Sequence, residues 1–351
     1  MHYQSDESQF HFAIKIEKRF YPIDLNKYEV DSVVNRDHEY YCQILLRLRK
    51  YLPRDDYVVY VTDSWNELPS YGRNVFVIQH GIGRYWFPAY ASKVGAVFKN
   101  YGLVPNIFLR SGSVKLNTSS LMKYVRDVAG WSPTFARGIQ GYIENGKGWP
   151  DNIFSIPLGY ALQHKLKIDL SRPRKYDIAF VGSISGRDYS KWSVKSYLQP
   201  PKELARERMV HVLEHTRRVH SDLNIYLKTT NNFKQSFLDR GQGYSQVLAN
   251  SKISLVPRGD VLESFRYFES MRYGCAIVCE PQPRLWFYTN SPAIEVKDWQ
   301  DAERVLTNLV ENPERLRRLQ SQSLEYWNTM CSEDAIAKFM SKKIDRILND
   351  C

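Results

Sequence analysis

The residue types with the clearest chemistry lie together in LVPRGDVLESFRYFESMRYGCAIVCEP, positions 255–281. Its apolar runs predict a strand, a helix and a second strand, with Arg258 and Arg266 near the start of the helix. Positive charge there opposes the helix dipole unless an anion is bound. Glu269 follows Arg266 by three positions, so it either accepts hydrogen bonds from sugar hydroxyls or pairs with Arg266. The stretch therefore predicts a phosphate-sugar site, with a structural alternative for each residue.

The sequence also indicates where this helix begins and ends. Asp260 with Glu263 three positions later fits a capping box, and Ser264 is an alternative, later start. Gly274 suits the position just after a helix, where a left-handed residue closes many helices. We therefore expect a helix that starts at Asp260 or Ser264 and ends at Tyr273.

A second group of residues, FVGSISGR at 180–187, reads as a strand that ends in small side chains. Gly182 and Ser183 would let backbone N–H groups approach an anion closely, and Arg187 would add positive charge. The spacing matches neither GxGxxG nor GxxxxGK[ST], so an ordinary dinucleotide or P-loop site is not expected. The alternative is a plain turn from strand to helix.

Short β-rich runs alternate with helical patterns along the chain, which is typical of α/β domains with mainly parallel sheets. A polar, basic segment broken by Pro173 separates two such regions. We predict domains at 1–168 and 169–330, and a C-terminal helix at 331–351 that packs back on the first domain. The fold class is α/β, with two Rossmann-like domains whose ligands bind at the carboxyl ends of the strands.

The net charge of +11 favours an anionic partner, such as phosphate groups, an acidic glycan, an anionic membrane face or nucleic acid. Nucleic-acid binding is the main rival function, because 14% of the residues are aromatic. No RNA- or DNA-binding motif is present in the sequence, so we expect no nucleic-acid partner. A solvated basic surface without a role is the remaining alternative.

The five cysteines include no CxxC pair, which predicts neither a disulfide framework nor a zinc site. No apolar run reaches the roughly 18–20 residues of a membrane span, and the first residues do not resemble a signal peptide. We therefore expect a cytoplasmic protein. The basic stretch LLRLRKYLPR, 45–54, predicts either a solvated helix face or peripheral contact with an anionic membrane.

The run YSQVLANSKISLVPRGDVLESFRYFESMRYGCAIVCEP, 244–281, resembles the C-terminal signature of exostosin-type glycosyltransferases, glycosyltransferase family 47. The matching features are the SKxSLxPRG strand, the SFRxxExxxxGC helix and the apolar strand after them. KYDIAFVGS, 175–183, is similar to the first strand of the same domain. This resemblance implies a GT-B fold, in which two Rossmann-like domains face each other across a cleft. It also implies a nucleotide-sugar donor, UDP-linked in our prediction, and a glycan or lipid-linked glycan acceptor.

The resemblance carries site roles onto matching positions of this chain. Arg266 would contact the donor diphosphate, and Glu269 the ribose or the donor sugar. We assign the other donor-binding roles to Gly182, Ser183, Arg187, Lys228, Arg258 and Ser264.

The comparison with this family also favours inversion at the anomeric carbon. Retaining GT-B enzymes carry a second glutamate eight positions before the first, and that position is Val261 here. A retaining GT-B enzyme and a non-catalytic glycan- or nucleic-acid-binding protein remain the alternatives. No DxD triplet is present in the sequence, so we expect no metal and no other cofactor.

An inverting transfer needs a base for the acceptor hydroxyl, expected at the carboxyl end of a strand in the first domain. Asp63 follows the strand YVVYVT and His80 follows NVFVIQ, so both are candidates. His80 has an ordinary pKa that suits proton transfer, although a hydrogen-bonded turn residue is the alternative. Asp63 is alternatively a helix cap or turn residue. Glu39 and Glu67 remain open as further candidates.

Overall fold

The computed structural model describes residues 12–16, 19–23, 38–81, 88–101, 132, 136, 150–161, 166–184, 201–230, 242–259 and 262–350. These residues form two compact α/β units. Unit 1 holds the described residues of 12–101, 132–157 and 333–350, and unit 2 holds those of 158–332. The chain thus changes units at 157/158 and at 332/333.

Unit 1 is built on a six-stranded sheet in the order β2-β1-β3-β4-β5-β6. All neighbouring strands are parallel except β1 and β2, which form an antiparallel edge pair. The central strands are buried apolar runs, as expected for parallel strands that are covered on both faces. The bounds are β1 Phe12–Ile16, β2 Arg19–Pro22, β3 Val58–Thr62, β4 Gly72–Gln79, β5 Val94–Lys99 and β6 Ile153–Ser155.

Two helices of unit 1, α1 (Glu39–Tyr51) and the last helix of the chain (Glu333–Asn349), pack against each other. Arg54, just after α1, donates hydrogen bonds to Asp345 and Asn349 of the last helix. Phe339 of the last helix packs edge-on against Phe98 of β5. The final helix therefore packs with the described residues of 12–101, although nearly all of unit 2 separates them in sequence.

Unit 2 contains a five-stranded sheet in the order β11-β10-β9-β7-β8, in which every pair of neighbours is parallel. The strands are β7 Tyr176–Ser183, β8 Ile225–Thr230, β9 Ser251–Val256, β10 Ala276–Cys279 and β11 Ile294–Glu295. Its described helices are α2 Pro201–Val219, α3 Gln242–Ala249, α4 Phe265–Arg272, α5 Ala302–Glu311 and α6 Pro313–Tyr326; the last helix of unit 1 becomes α7. The prediction of two Rossmann-like α/β domains is confirmed.

The helix α4 starts at the later of the two predicted positions. Ser264 is its N-cap residue with an extended backbone, so Glu263 lies before the helix and the capping-box prediction is wrong. At the other end, Gly274 has φ of +64°, as predicted for the residue after the helix. Gly274 N–H donates to Met271 O and Cys275 N–H to Ser270 O, which is the hydrogen-bond pattern of a Schellman motif.

The described cysteines 42, 275, 279 and 331 are buried, and no disulfide joins any two of them. No described helix combines the length and the apolar character that crossing a membrane requires.

We predict that Gly274→Ala lowers the free energy of unfolding by about 1–2 kcal/mol, because a Cβ is strained at positive φ. That Cβ would also lie 3.1 Å from Leu170 Cδ2. Urea titration followed by circular dichroism measures the change. Gly243→Ala is the matched control, since α3 leaves open space there and alanine favours a helix. Equal midpoints for the native protein and Gly274→Ala contradict the prediction.

Candidate anion-binding site

The candidate site of unit 2 is assembled where β7, β9 and β10 end. Because these strands are parallel, their carboxyl ends share one edge of the sheet. Val256 pairs with Cys279, and β7 continues at the same edge to Gly182 and Ser183. The chain after β9 supplies Arg258, and α4 then begins at Phe265. The fold therefore brings the two predicted sequence groups to one edge.

Arg266, in the first turn of α4, packs against the end of β7. Its Nη2 donates to Val181 O at 2.7 Å, and its guanidinium carbon lies 4.7 Å from the centre of the Phe180 ring. Gly182 makes this contact possible, since a Cβ there would lie 2.2 Å from Arg266 Nη2. Nε and Nη1 of the same side chain are buried without a hydrogen-bond partner in the part of the chain that the structure describes. Arg266 therefore holds two unused donors at the strand edge.

Arg258 is half-buried and is fixed through its backbone. Its N–H donates to Glu280 Oε2 at 2.7 Å, and its side-chain Nε is buried without a partner among the described residues. Ser264 is half-buried at the N-cap, and its side chain makes no cap hydrogen bond. Arg258 follows β9, Arg266 packs on the end of β7, and α4 starts without a side-chain cap, so these groups all belong to the carboxyl edge of the sheet, an arrangement suited to an anion.

Glu269 is buried, with 6% of its surface exposed, and both carboxylate oxygens are engaged within unit 2. Oε1 accepts a hydrogen bond from Ala161 N–H at 3.2 Å, and Oε2 accepts one from Tyr244 Oη at 3.0 Å. Burial, together with the Glu269 charge, raises the pKa of Tyr244 well above its usual value. Tyr244 therefore stays protonated and keeps donating to Glu269. This carboxylate joins α3, α4 and the segment 158–161.

The end of β7 is also held by an arginine that the sequence reading missed. Arg206 of α2 is 6% exposed, and its Nη1 donates to Ser183 O at 2.5 Å and to Ser183 Oγ at 3.2 Å. Its position in the helical stretch 201–219 gives no local signal of this contact. Lys228 lies on β8 opposite Val181 and is exposed. Arg187 falls outside the described residues.

The carboxyl edge of the unit 1 sheet holds the two base candidates. Asp63 directly follows β3, is largely exposed and pairs with Lys15 of β1 at 3.0 Å. His80 directly follows β4, stacks on Tyr41 and meets His38 edge-on, with ring centres 4.7 Å apart. Burial, and to a smaller extent His38, lowers the pKa of His80 to about 3. His80 is therefore neutral at pH 7 and a weak base.

The other candidates lie elsewhere in unit 1. Glu39 is in the first turn of α1, and Glu67 is exposed in the loop after β3. Among the described residues, no group of three or more histidines, cysteines, aspartates or glutamates is arranged to hold a metal ion. The catalytic and donor-binding roles of all these residues stay predictions.

No protein-family model matches the chain, and no curated protein matches it. Among solved structures, it is similar to the GtfA/B complex, with a TM-score of 0.41 and 11% identity over 96% of this chain and 63% of that one. The pneumococcal O-GlcNAc transferase GtfA with UDP and GlcNAc has a TM-score of 0.42 and 9% identity over 89% and 61%. Sucrose-phosphate synthase from Thermosynechococcus elongatus has a TM-score of 0.41 and 13% identity over 89% and 94%.

The chain spans about three fifths of the first two of these chains and nearly all of the third. Each TM-score is below 0.5, so none of these three similarities indicates a function for this chain.

We predict that lowering the pH reduces the free energy of unfolding more for the native protein than for the His80→Phe variant. The folded state keeps His80 neutral down to pH about 3, while the unfolded chain protonates it below about 6.5. Stability from this group is thus present above pH 6.5 and is lost as the pH falls, by about 2 kcal/mol between pH 7 and pH 5. Urea unfolding at both pH values measures the difference. His211→Phe, at an exposed position of α2, serves as control, and an equal acid loss in native protein and His80→Phe contradicts the assignment.

Proposed function

We propose that the protein is a glycosyltransferase that holds a nucleoside diphosphate-sugar at the carboxyl edge of the unit 2 sheet. One observation carries this proposal: Arg266 Nε, Arg266 Nη1 and Arg258 Nε are buried at that edge without partners among the described residues. An unsatisfied buried donor costs about 1–3 kcal/mol, and more when it is charged. The oxygens of a diphosphate are acceptors that would satisfy all three donors. The negative charge of the diphosphate would also be balanced by the two positive guanidinium groups.

The surrounding structure supports a phosphate rather than an internal carboxylate as the missing acceptor. Glu269 is already hydrogen-bonded to Ala161 and Tyr244, and Glu280 binds the backbone of Arg258. The start of α4 adds the positive end of a helix dipole at the same edge. The absence of a side chain at Gly182 lets the Arg266 guanidinium lie against this strand end.

The resemblance of 244–281 to exostosin-type glycosyltransferases supports the reaction class, and with it a GT-B arrangement of the two units. In this proposal the donor is UDP-linked, the acceptor is a glycan or a lipid-linked glycan, and nucleic acid is not a partner. Arginines take the place of a metal at the diphosphate, so that no metal is required. Peripheral contact of the basic stretch 45–54 with an anionic membrane stays part of the proposal.

The proposed chemistry is a single displacement that inverts the anomeric carbon. The acceptor hydroxyl oxygen forms the new bond to that carbon as the bond to the β-phosphate oxygen breaks. The electron pair leaves on the phosphate, where the two guanidinium groups stabilise the added negative charge. A base takes the proton of the acceptor hydroxyl.

Asp63 is our preferred base, ahead of His80. It is exposed at the carboxyl end of β3, and the Nζ of Lys15 fixes its Oδ1. His80 is buried against His38 and Tyr41, and its lowered pKa makes it a poor proton acceptor at neutral pH. A base works best when its pKa is close to the working pH, and the shift of His80 moves it away from that range.

We predict that Arg266→Ala lowers the rate of nucleoside diphosphate release from the donor by about 100- to 1,000-fold, which is what loss of one preorganised donor costs. A thermal-shift screen of nucleotide-sugars first identifies the donor, because a bound ligand raises the melting temperature. The release rate is then measured with that donor at saturation.

The matched control for this experiment is Arg217→Ala, an exposed arginine on α2 that should release nucleoside diphosphate at the native rate. The melting temperature of each free variant checks that it folds. If folded Arg266→Ala releases nucleoside diphosphate at a near-native rate, the assignment of the diphosphate site is wrong. If the native protein binds the donor but releases no nucleoside diphosphate, the protein is non-catalytic.

We predict that Asp63→Asn lowers transfer to an acceptor glycan by about 100-fold or more, because the group that takes the proton of the acceptor hydroxyl is lost. His80→Phe should keep the native profile, since a histidine with a pKa of about 3 is not the group that titrates near neutral pH. Initial rates between pH 5 and pH 9 decide the question. The opposite pair of results assigns the base to His80 and contradicts our choice.

A further inference from the structure

Glu269 is committed to the interior of unit 2, which leaves the sugar hydroxyls of the donor without their expected carboxylate. Its Oε1 accepts from the backbone of Ala161 and its Oε2 accepts from Tyr244, and the side chain is 6% exposed. Two of its acceptor sites are occupied, and its burial leaves little surface on which a ribose hydroxyl could approach the others. Through these hydrogen bonds, Glu269 of α4 links this helix to α3 and to the segment 158–161.

Glu280 is a second carboxylate at the same edge, and it is half-buried at the end of β10. Cys279 pairs with Val256, so Glu280 lies opposite Pro257, which has no N–H to donate. The next N–H along, that of Arg258, donates to Glu280 Oε2 at 2.7 Å. Glu280 is thus anchored next to the arginine that we assign to the diphosphate, and in the part of the chain that the structure describes its carboxylate accepts only this hydrogen bond.

A nucleoside diphosphate presents two kinds of group to such an edge. Its phosphates are acceptors that suit Arg258 and Arg266, and a carboxylate repels them. Its ribose carries two neighbouring hydroxyls, which are neutral donors and suit an acceptor-only carboxylate. We propose that Glu280, rather than Glu269, receives a ribose hydroxyl of the donor; this rests on the proposed function.

The test compares Glu280→Gln, Glu269→Gln and Glu295→Gln by isothermal titration calorimetry. Glu295 ends the neighbouring strand β11, so its substitution is the matched control. Each protein is titrated with UDP, with 2′,3′-dideoxy-UDP and with pyrophosphate. Glutamine still accepts the Arg258 N–H through its amide oxygen, so that the loop after β9 keeps its anchor.

We expect Glu280→Gln to weaken UDP binding by about 10- to 100-fold, because a hydrogen bond to a charged group is lost. Its binding of dideoxy-UDP and pyrophosphate should equal that of the native protein, since neither ligand offers a ribose hydroxyl. Glu295→Gln should bind all three ligands as the native protein does.

Three results would overturn the proposal while leaving the proposed function standing. If Glu280→Gln binds UDP as tightly as the native protein does, Glu280 makes no contact with a ribose hydroxyl. An equal loss for all three ligands shows that Glu280 acts only by holding the loop of Arg258. A loss confined to the ribose-containing ligand in Glu269→Gln assigns the hydroxyl to that residue instead. If the native protein binds none of the three ligands, the proposed function itself fails.

Discussion

The contact between the Arg266 guanidinium and the end of β7 is the interaction on which the candidate site depends. One N–H group is used on Val181 O and the flat face of the guanidinium covers Phe180, so the side chain is held in one orientation. The absence of a side chain at Gly182 provides the space. Because the arginine is fixed in this way, its Nε and Nη1 are held as donors at the strand edge. Binding of an anion to them then costs little side-chain entropy.

The parallel sheet turns this local contact into a site. Strand ends that are far apart in sequence meet at one edge, so that β7 supplies Gly182, β9 leads to Arg258 and β10 ends at Glu280. Two arginines then hold this edge in shape: buried Arg206 donates to Ser183 O, and half-buried Arg266 donates to Val181 O. Both guanidinium groups donate to backbone carbonyls at the end of β7.

Much of this arrangement could be predicted from the sequence, because apolar runs and glycines report strongly on local structure. The strands after Tyr57 and Tyr176, and the left-handed Gly274, follow from such patterns. The edge pair Phe12–Ile16 and Arg19–Pro22 was missed, since its short runs are mixed with charge. The hydrogen bonds of Arg206 and Glu269 could not be predicted from the sequence either, because they join residues that are far apart along the chain. The lowered pKa of His80 depends on burial that no local pattern reports.

The most direct test of the central claim is a crystal structure of the protein with the nucleoside diphosphate that raises its melting temperature most. Our account predicts diphosphate oxygens within hydrogen-bond distance, about 2.7–3.2 Å, of Arg266 Nε or Nη1. It also predicts that Arg266 Nη2 remains on Val181 O, since that bond orients the group. A nucleotide bound away from the strand ends of unit 2, with those arginine nitrogens still unpartnered, would contradict the account.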